Sequence, residues 1–348
     1  MWRSYARKTL LILPRIGSVF VYLRGDETMR PFKNLEQQIQ ILRERGLAFD
    51  NEEEAKLYLL DNNYYNIINM YSKVFQENTN QYVSGTEFKE IKALHILDTE
   101  IKANLMKFIL VAEKHFKSIL SYYMAEKYHD EPYAYLRTSS YPDTSPLEIS
   151  RTLSDISRKI SSLIQKKEPN SVKHHHGNYH DVPLWVIINE LEFGTVRYMY
   201  KHSSSSVRTK VARRLAQFLY SNTKESVQLP PEYIDRMLEH INEIRNCVAH
   251  NNKLHHFTCR KHLYHVAVLF EPYGVLKDSP KNTVFSTFLT LQCFMPDKDY
   301  RIFYNTLLKR FKVQSKNIST IPFSKVLECY SFPDGWHLSE KRAQQTKE

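Results

Sequence analysis

Residues 87–128 constrain this chain more than any other stretch. Leu94, Leu97, Ile101, Leu105, Phe108, Ala112, Phe116, Ile119 and Tyr123 return at three- and four-residue steps, with Lys, Glu and Asp on the other side. A period near 3.6 kept up for so long demands a long amphipathic helix, with an interruption expected near 94–98. A helix of that length needs other helices to cover its apolar stripe. The chain has only 8 Gly and 14 Pro in 348 residues, so little else interrupts helical runs.

The same period recurs on both sides. Asn34 is placed to cap a helix reaching Arg45, closed by Gly46. A second helix is expected over 51–60, then an aromatic stretch with Tyr64, Tyr65, Ile68, Tyr71 and Phe75 as core candidates. Further helices are expected over 147–165, over 183–201 with a kink at Gly194, over 207–220, from Pro230 into the 240s, over 253–270, over 283–295, over 297–311, and from about 319 or 322. Residues 166–181, polar and rich in His, read as a loop. The pattern predicts an all-α protein without an internal repeat or a Gly-rich phosphate loop.

Composition narrows the setting. Lys and Arg outnumber Asp and Glu by 49 to 38, and the net charge of +11 suits a polyanionic partner as well as it suits an ordinary basic protein. Cys247, Cys259, Cys293 and Cys329 form no CxxC pair, which favours a reduced, cytoplasmic setting over a disulfide framework. Residues 1–28 look faintly like a signal peptide, but Pro14 and Arg15 break the apolar run. They read as an uncertain N-terminal extension before Met29. No segment reads as a membrane span. The expected organisation is one helical domain over 29–337 and a polar, frayed tail over 338–348.

The stretch NEIRNCVAHNN, from Asn242 to Asn252, carries the chemistry. A His suits proton transfer near neutral pH, and the planar fork of an Arg suits phosphate oxygens. On a regular helix Arg245 and His250 stand about 140° apart, whereas Asn246 and His250 share a face. Asn251 and Asn252 mark a helix end, where the His ring is free to swing and the long Arg to reach round. One Arg and one His are sparse for acid, base and charge stabilisation together, which points to two copies facing each other. The same residues also make an ordinary polar helix terminus.

Several blocks together resemble the Abi-like abortive-infection family (AbiD/AbiF type) within the HEPN superfamily. They are PFKNLEQQIQILRERGL, DNNYYNIINMYSKVF, the long segment FKEIKALHILDTEIKANLMKFILVAEKHFKSILSYYMAEKY with PYAYL after it, VPLWVIINELEFGTVRYMY, INEIRNCVAHNNKL and FPDGW. The resemblance implies a HEPN-type helical bundle with additional N- and C-terminal helices. It implies a metal-independent endoribonuclease of phage defence or a toxin–antitoxin system, needing no cofactor and leaving a 2′,3′-cyclic phosphate and a 5′-OH. Arg245, Asn246 and His250 match the catalytic motif of that superfamily, which lies at a homodimer interface. RNA is the implied substrate, and a small structured RNA the implied inhibitory partner. The alternative is a HEPN-fold module that binds RNA or a partner without cutting. A DNA-binding regulator is a third class, with no recognition-helix signature to support it.

Other groups have a structural and a functional reading. Arg208, Lys210, Arg213 and Arg214 lie on a basic helix fit to line an RNA path or simply to face solvent, with Val207, Val211, Leu215 and Phe218 inward. His174, His175, His176 and His180, on an expected loop, lack the rigidity a metal site needs. Cys247, three before His250, reads as a buried thiol rather than a nucleophile. His255 and His256 follow the motif closely and are placed either to approach the substrate or, as the simpler reading, to sit on the surface, and Glu190 and Glu192 diverge on their helix.

Overall fold

The computed structural model describes residues 32–78 and 80–343. Residues 1–31, which include the expected extension, and 344–348 lie outside the described residues. The first layer is made by α1 (Leu35–Glu44), α2 (Glu52–Asn62) and α3 (Tyr64–Tyr71). Asn34 and Gln37 close a reciprocal capping box on α1, each side chain accepting from the other's backbone N–H at 2.9 and 3.1 Å. Asn51 caps α2, whose first turn carries Glu52, Glu53 and Glu54 against the positive helix end. Of the aromatic core candidates, Tyr71 and Phe75 are buried, but Tyr65 is 63% exposed. A small antiparallel hairpin, β1 (Gln76–Asn78) with β2 (Gln81–Tyr82), follows.

The long periodic segment is α4 (Phe88–Lys127), about 60 Å at roughly 1.5 Å per residue. It runs unbroken through 94–98, contrary to the expected interruption. Leu94, Leu97, Ile101, Leu105, Phe108, Phe116 and Leu120 are all buried along it. Neighbours wrap it on several sides. α9 (Ser205–Thr223), α10 (Pro231–Ala249) and α13 (Asp297–Gln314) lie directly against it, and Phe108 stacks on Phe303 of α13 at 4.6 Å.

The remaining helices close the bundle. α5 (Pro146–Ile164) starts with the Ser145–Glu148 capping box and Pro146 in its first turn. α6 (Ser171–Tyr179) is a helix where a loop was expected: Asn170 caps it by accepting from the Lys173 N–H at 2.9 Å, although only Val172 is buried. α7 (Leu184–Ile187) and α8 (Phe193–His202) are separated at Leu191–Glu192, so the break falls before Gly194 rather than at it. Only α11 (Ala267–Phe270) forms as an α-helix within 253–270, the rest of which is irregular. α12 (Val284–Thr290) is shorter than the helix expected over 283–295, giving way to a 3-10 turn at Leu291–Cys293, and α14 (Phe323–Cys329) is the expected last short helix.

FPDGW is core. Phe332 and Trp336 are buried and pack at 4.6 Å from each other, with Phe288 and Phe311 around Trp336. Of the tail expected to fray, residues 338–343 are described and are anchored: the Arg342 guanidinium donates to the Asn222 carbonyl at 2.9 Å and to Gln292 at 3.2 Å. Among the described residues no helix is long and apolar enough to cross a membrane.

Candidate functional site

α10 carries the motif. Ile234, Met237, Leu238, Ile241, Ile244 and Cys247 form its inner face, all buried. His240, fully buried, bonds the Lys261 carbonyl through Nε2 at 2.6 Å. Burial holds its ring well below the usual range, at about 4. On the outer side Asn246, Ala249 and His250 are exposed and Arg245 is half-buried. Among the described residues the Arg245 guanidinium meets no carboxylate or carbonyl, and its Nε is shielded without a hydrogen bond. Its neighbours are committed elsewhere: Glu243 accepts from the Arg260 N–H at 3.0 Å, and Glu239 faces Arg197, Arg236 and Lys261.

The helix ends at the motif in a Schellman turn. His250 is the C-cap, and Asn251 follows at φ +52°. The Asn251 N–H reaches the Val248 carbonyl at 3.0 Å and the Asn252 N–H the Cys247 carbonyl at 3.0 Å. His250 thus sits in the last turn, as the sequence suggested, with its ring on the surface and its backbone fixed.

A buried network on α4 fixes that end from below. Asp98, with no exposure, accepts from Tyr71 at 2.9 Å, from Tyr330 at 3.1 Å and from the Leu254 N–H at 3.3 Å. Lys102, four residues on, pairs with Asp98 at 2.9 Å and donates to the Asn251 side chain at 3.1 Å. One carboxylate therefore ties α3, α4, the motif's turn and the segment after α14. These residues were not picked from sequence, yet a signal exists: Asp98 and Lys102 are charges in the buried half of the α4 pattern, one turn apart. A charge placed there must be paired.

The other candidates disperse. Lys210 pairs with Glu126 at 2.7 Å, roughly 36 Å along α4 from Lys102 at about 1.5 Å per residue. Arg214 lies over the Phe218 ring at 4.3 Å and Arg208 over Tyr200 at 5.7 Å, while Arg213 is exposed. The basic helix is therefore not brought to the motif within one chain. Val207, Val211 and Leu215 do point inward. His174 and His176 spend ring nitrogens on Asn178 and Tyr133, each at 3.0 Å. Among the described residues no three His, Cys, Asp or Glu side chains converge as metal ligands. Cys247 is buried, with its thiol pushed up to about 11 by burial and by the Asp98 charge, which is wrong for a nucleophile. His255 departs from expectation: it is 6% exposed, packed against Tyr71.

What the arrangement offers is one free guanidinium and one exposed imidazole on a rigid helix end, open to an anionic ligand. Comparison with known proteins adds one finding. The model of a family described as Abi-like protein matches residues 57–256, from within α2 to just past the motif and more than half of the chain. No curated protein and no solved structure matches.

Proposed function

The chain belongs to the Abi-like family, and on that footing we propose that it is a cytoplasmic endoribonuclease of the HEPN type acting in abortive infection, as a phage-defence or toxin–antitoxin component. The observation that carries the reading is an Arg without a partner among the described residues, together with an exposed His, on a helix end that the rest of the fold holds still. A structural Arg at a helix terminus is expected to bond nearby carbonyls or carboxylates; Arg245 does neither.

In this reading the RNA supplies its own nucleophile. A ribose 2′-OH loses its proton and attacks the adjacent phosphorus. The bond to the 5′-oxygen breaks, and that oxygen takes up a proton. The products are a 2′,3′-cyclic phosphate and a 5′-OH. Arg245 holds the phosphate and meets the charge that grows on its oxygens. His250 moves a proton, and Asn246, four residues before it on the same face, orients the ring or the ribose. One His cannot be base and acid at once, so a second copy of the chain supplies the other imidazole across a two-fold axis.

The test is purified protein against total RNA with chelator present, with the product ends analysed. Cleavage to cyclic phosphates that His250→Ala loses supports the reading. RNA binding without cleavage by the parent protein replaces it with a non-cleaving RNA-binding module.

A further inference from the structure

A cleft opens immediately beyond the motif, between the end of α3 and residues 253–256. Tyr71 and Leu94 form its apolar floor, and Lys73, Lys253, His255 and His256 line it. Its volume is about 90 Å³. That is room for several waters or for a phosphate group.

The charge in the cleft is uncompensated. Lys73 and Lys253 are exposed at their ends, and among the described residues neither has an ion-pair partner. The nearby carboxylate of Asp98 cannot serve them, since Lys102, Tyr71, Tyr330 and the Leu254 N–H already occupy it. His255 is buried; the Met70 carbonyl lies against its ring, but neither ring nitrogen makes a hydrogen bond of normal geometry. A buried polar ring left so costs free energy unless a ligand or water meets it.

The cleft is also held in shape. The Leu254 N–H is fixed to Asp98, and the His256 N–H donates to the Cys329 carbonyl while His256 itself stands at φ +57°. Lys253 lies three residues after His250, so the two Cα atoms are no more than about 11 Å apart. That separation is within the reach of neighbouring phosphates on one strand.

We propose that this cleft is a phosphate subsite, in which Lys73, Lys253 and the two histidines hold a backbone phosphate of the RNA flanking the one at Arg245 and His250. The proposal rests on the ribonuclease reading for its ligand, and adds how the strand is gripped. The contact is made to phosphate, so it sets register without selecting sequence. Burial keeps His255 neutral when the cleft is empty, at about 4; a bound phosphate offers its ring an acceptor.

The test measures binding apart from cleavage. His250→Ala protein is titrated with a fluorescein-labelled single-stranded oligoribonucleotide over a range of salt concentrations. Lys73→Gln and Lys253→Gln are then added singly on that background, with Lys167→Gln, on the loop between α5 and α6, as control. Each cleft substitution is expected to make the log–log salt dependence shallower by about 0.7, the value for one lost phosphate contact on a single strand. The control should leave it unchanged. Unchanged slopes for Lys73→Gln and Lys253→Gln, on a protein that binds RNA and whose parent cleaves it, overturn the subsite alone. An equal change for Lys167→Gln also overturns it, since the effect is then diffuse charge. A protein that binds no RNA at any salt overturns the ribonuclease reading and the subsite with it.

Discussion

At Asp98 three donors and one ammonium converge on a single buried carboxylate, and three of its partners lie in parts of the chain far apart in sequence. Asp98→Ala leaves Lys102 charged and unpaired at 5% exposure, and is expected to cost about 3–5 kcal/mol in urea denaturation. Replacing both with apolar residues of similar size should cost less than that. A loss under about 1 kcal/mol for Asp98→Ala would show that the network is not closed. His240 and His255 set an acid limit. Burial holds each near 4 in the folded chain, whereas an unfolded chain titrates near the ordinary 6.5. Between those values the unfolded state binds more protons, so stability rises with pH across the window and is lost on acidification through it. Each group contributes up to roughly 3 kcal/mol. Thermal midpoints at pH 7 and pH 4.5 check this, and equal midpoints would contradict it. The proposed site residues stood out in the sequence through the resemblance of Arg, Asn and His at that spacing to a family motif. Asp98 was written in the sequence as a charge in a buried stripe, but its partners Tyr71 and Tyr330 were not, since nothing local brings them together.

The C-terminus of α10 depends on backbone shape as much as on side chains. Asn251 takes a left-handed conformation that Gly or Asn adopts at little cost and a β-branched residue does not. Asn251→Val is therefore expected to be about 1–2 kcal/mol less stable than Asn251→Gly, read by chemical denaturation of the two variants side by side. Equal stabilities would mean that the turn is not fixed. Strong periodicity located α4, α9 and α10, because each presents a broad apolar face to neighbours. It failed over 253–270, where the buried Leu254, Leu263 and Val266 are separate anchors rather than one helix face. There the backbone spends its donors across the fold: the Cys259 N–H on the Asn282 carbonyl at 2.7 Å and the Leu263 N–H on that of Lys281 at 3.3 Å. It failed in the other direction at α6, whose cap and helix are real though its side chains carry almost no apolar signal.

Across the whole molecule, α4 is the common support: α3, α9, α10 and α13 all pack on it, and the motif is delivered at one end while the basic face of α9 meets the other. The family match stops at residue 256, yet the chain beyond it supplies Tyr330 to Asp98 and Trp336 to the aromatic core. The all-helical class was legible in the scarcity of breakers and in one long stripe; the docking of Arg342 was not, because a polar tail gives no packing signal. If the catalytic site is composite and needs both imidazoles, a dimer of one parent chain and one His250→Ala chain should be as inactive as the His250→Ala protein. About half of the parent's activity from that confirmed mixed dimer would place all the catalytic groups within one chain. The most direct measurement of the central claim is the rate of cleavage of a labelled RNA by the parent and by His250→Ala, both shown folded by circular dichroism and thermal melting. Loss of a proton-transfer group predicts a fall of about 10²–10⁴-fold; cleavage at the parent's rate by the folded variant would contradict the account.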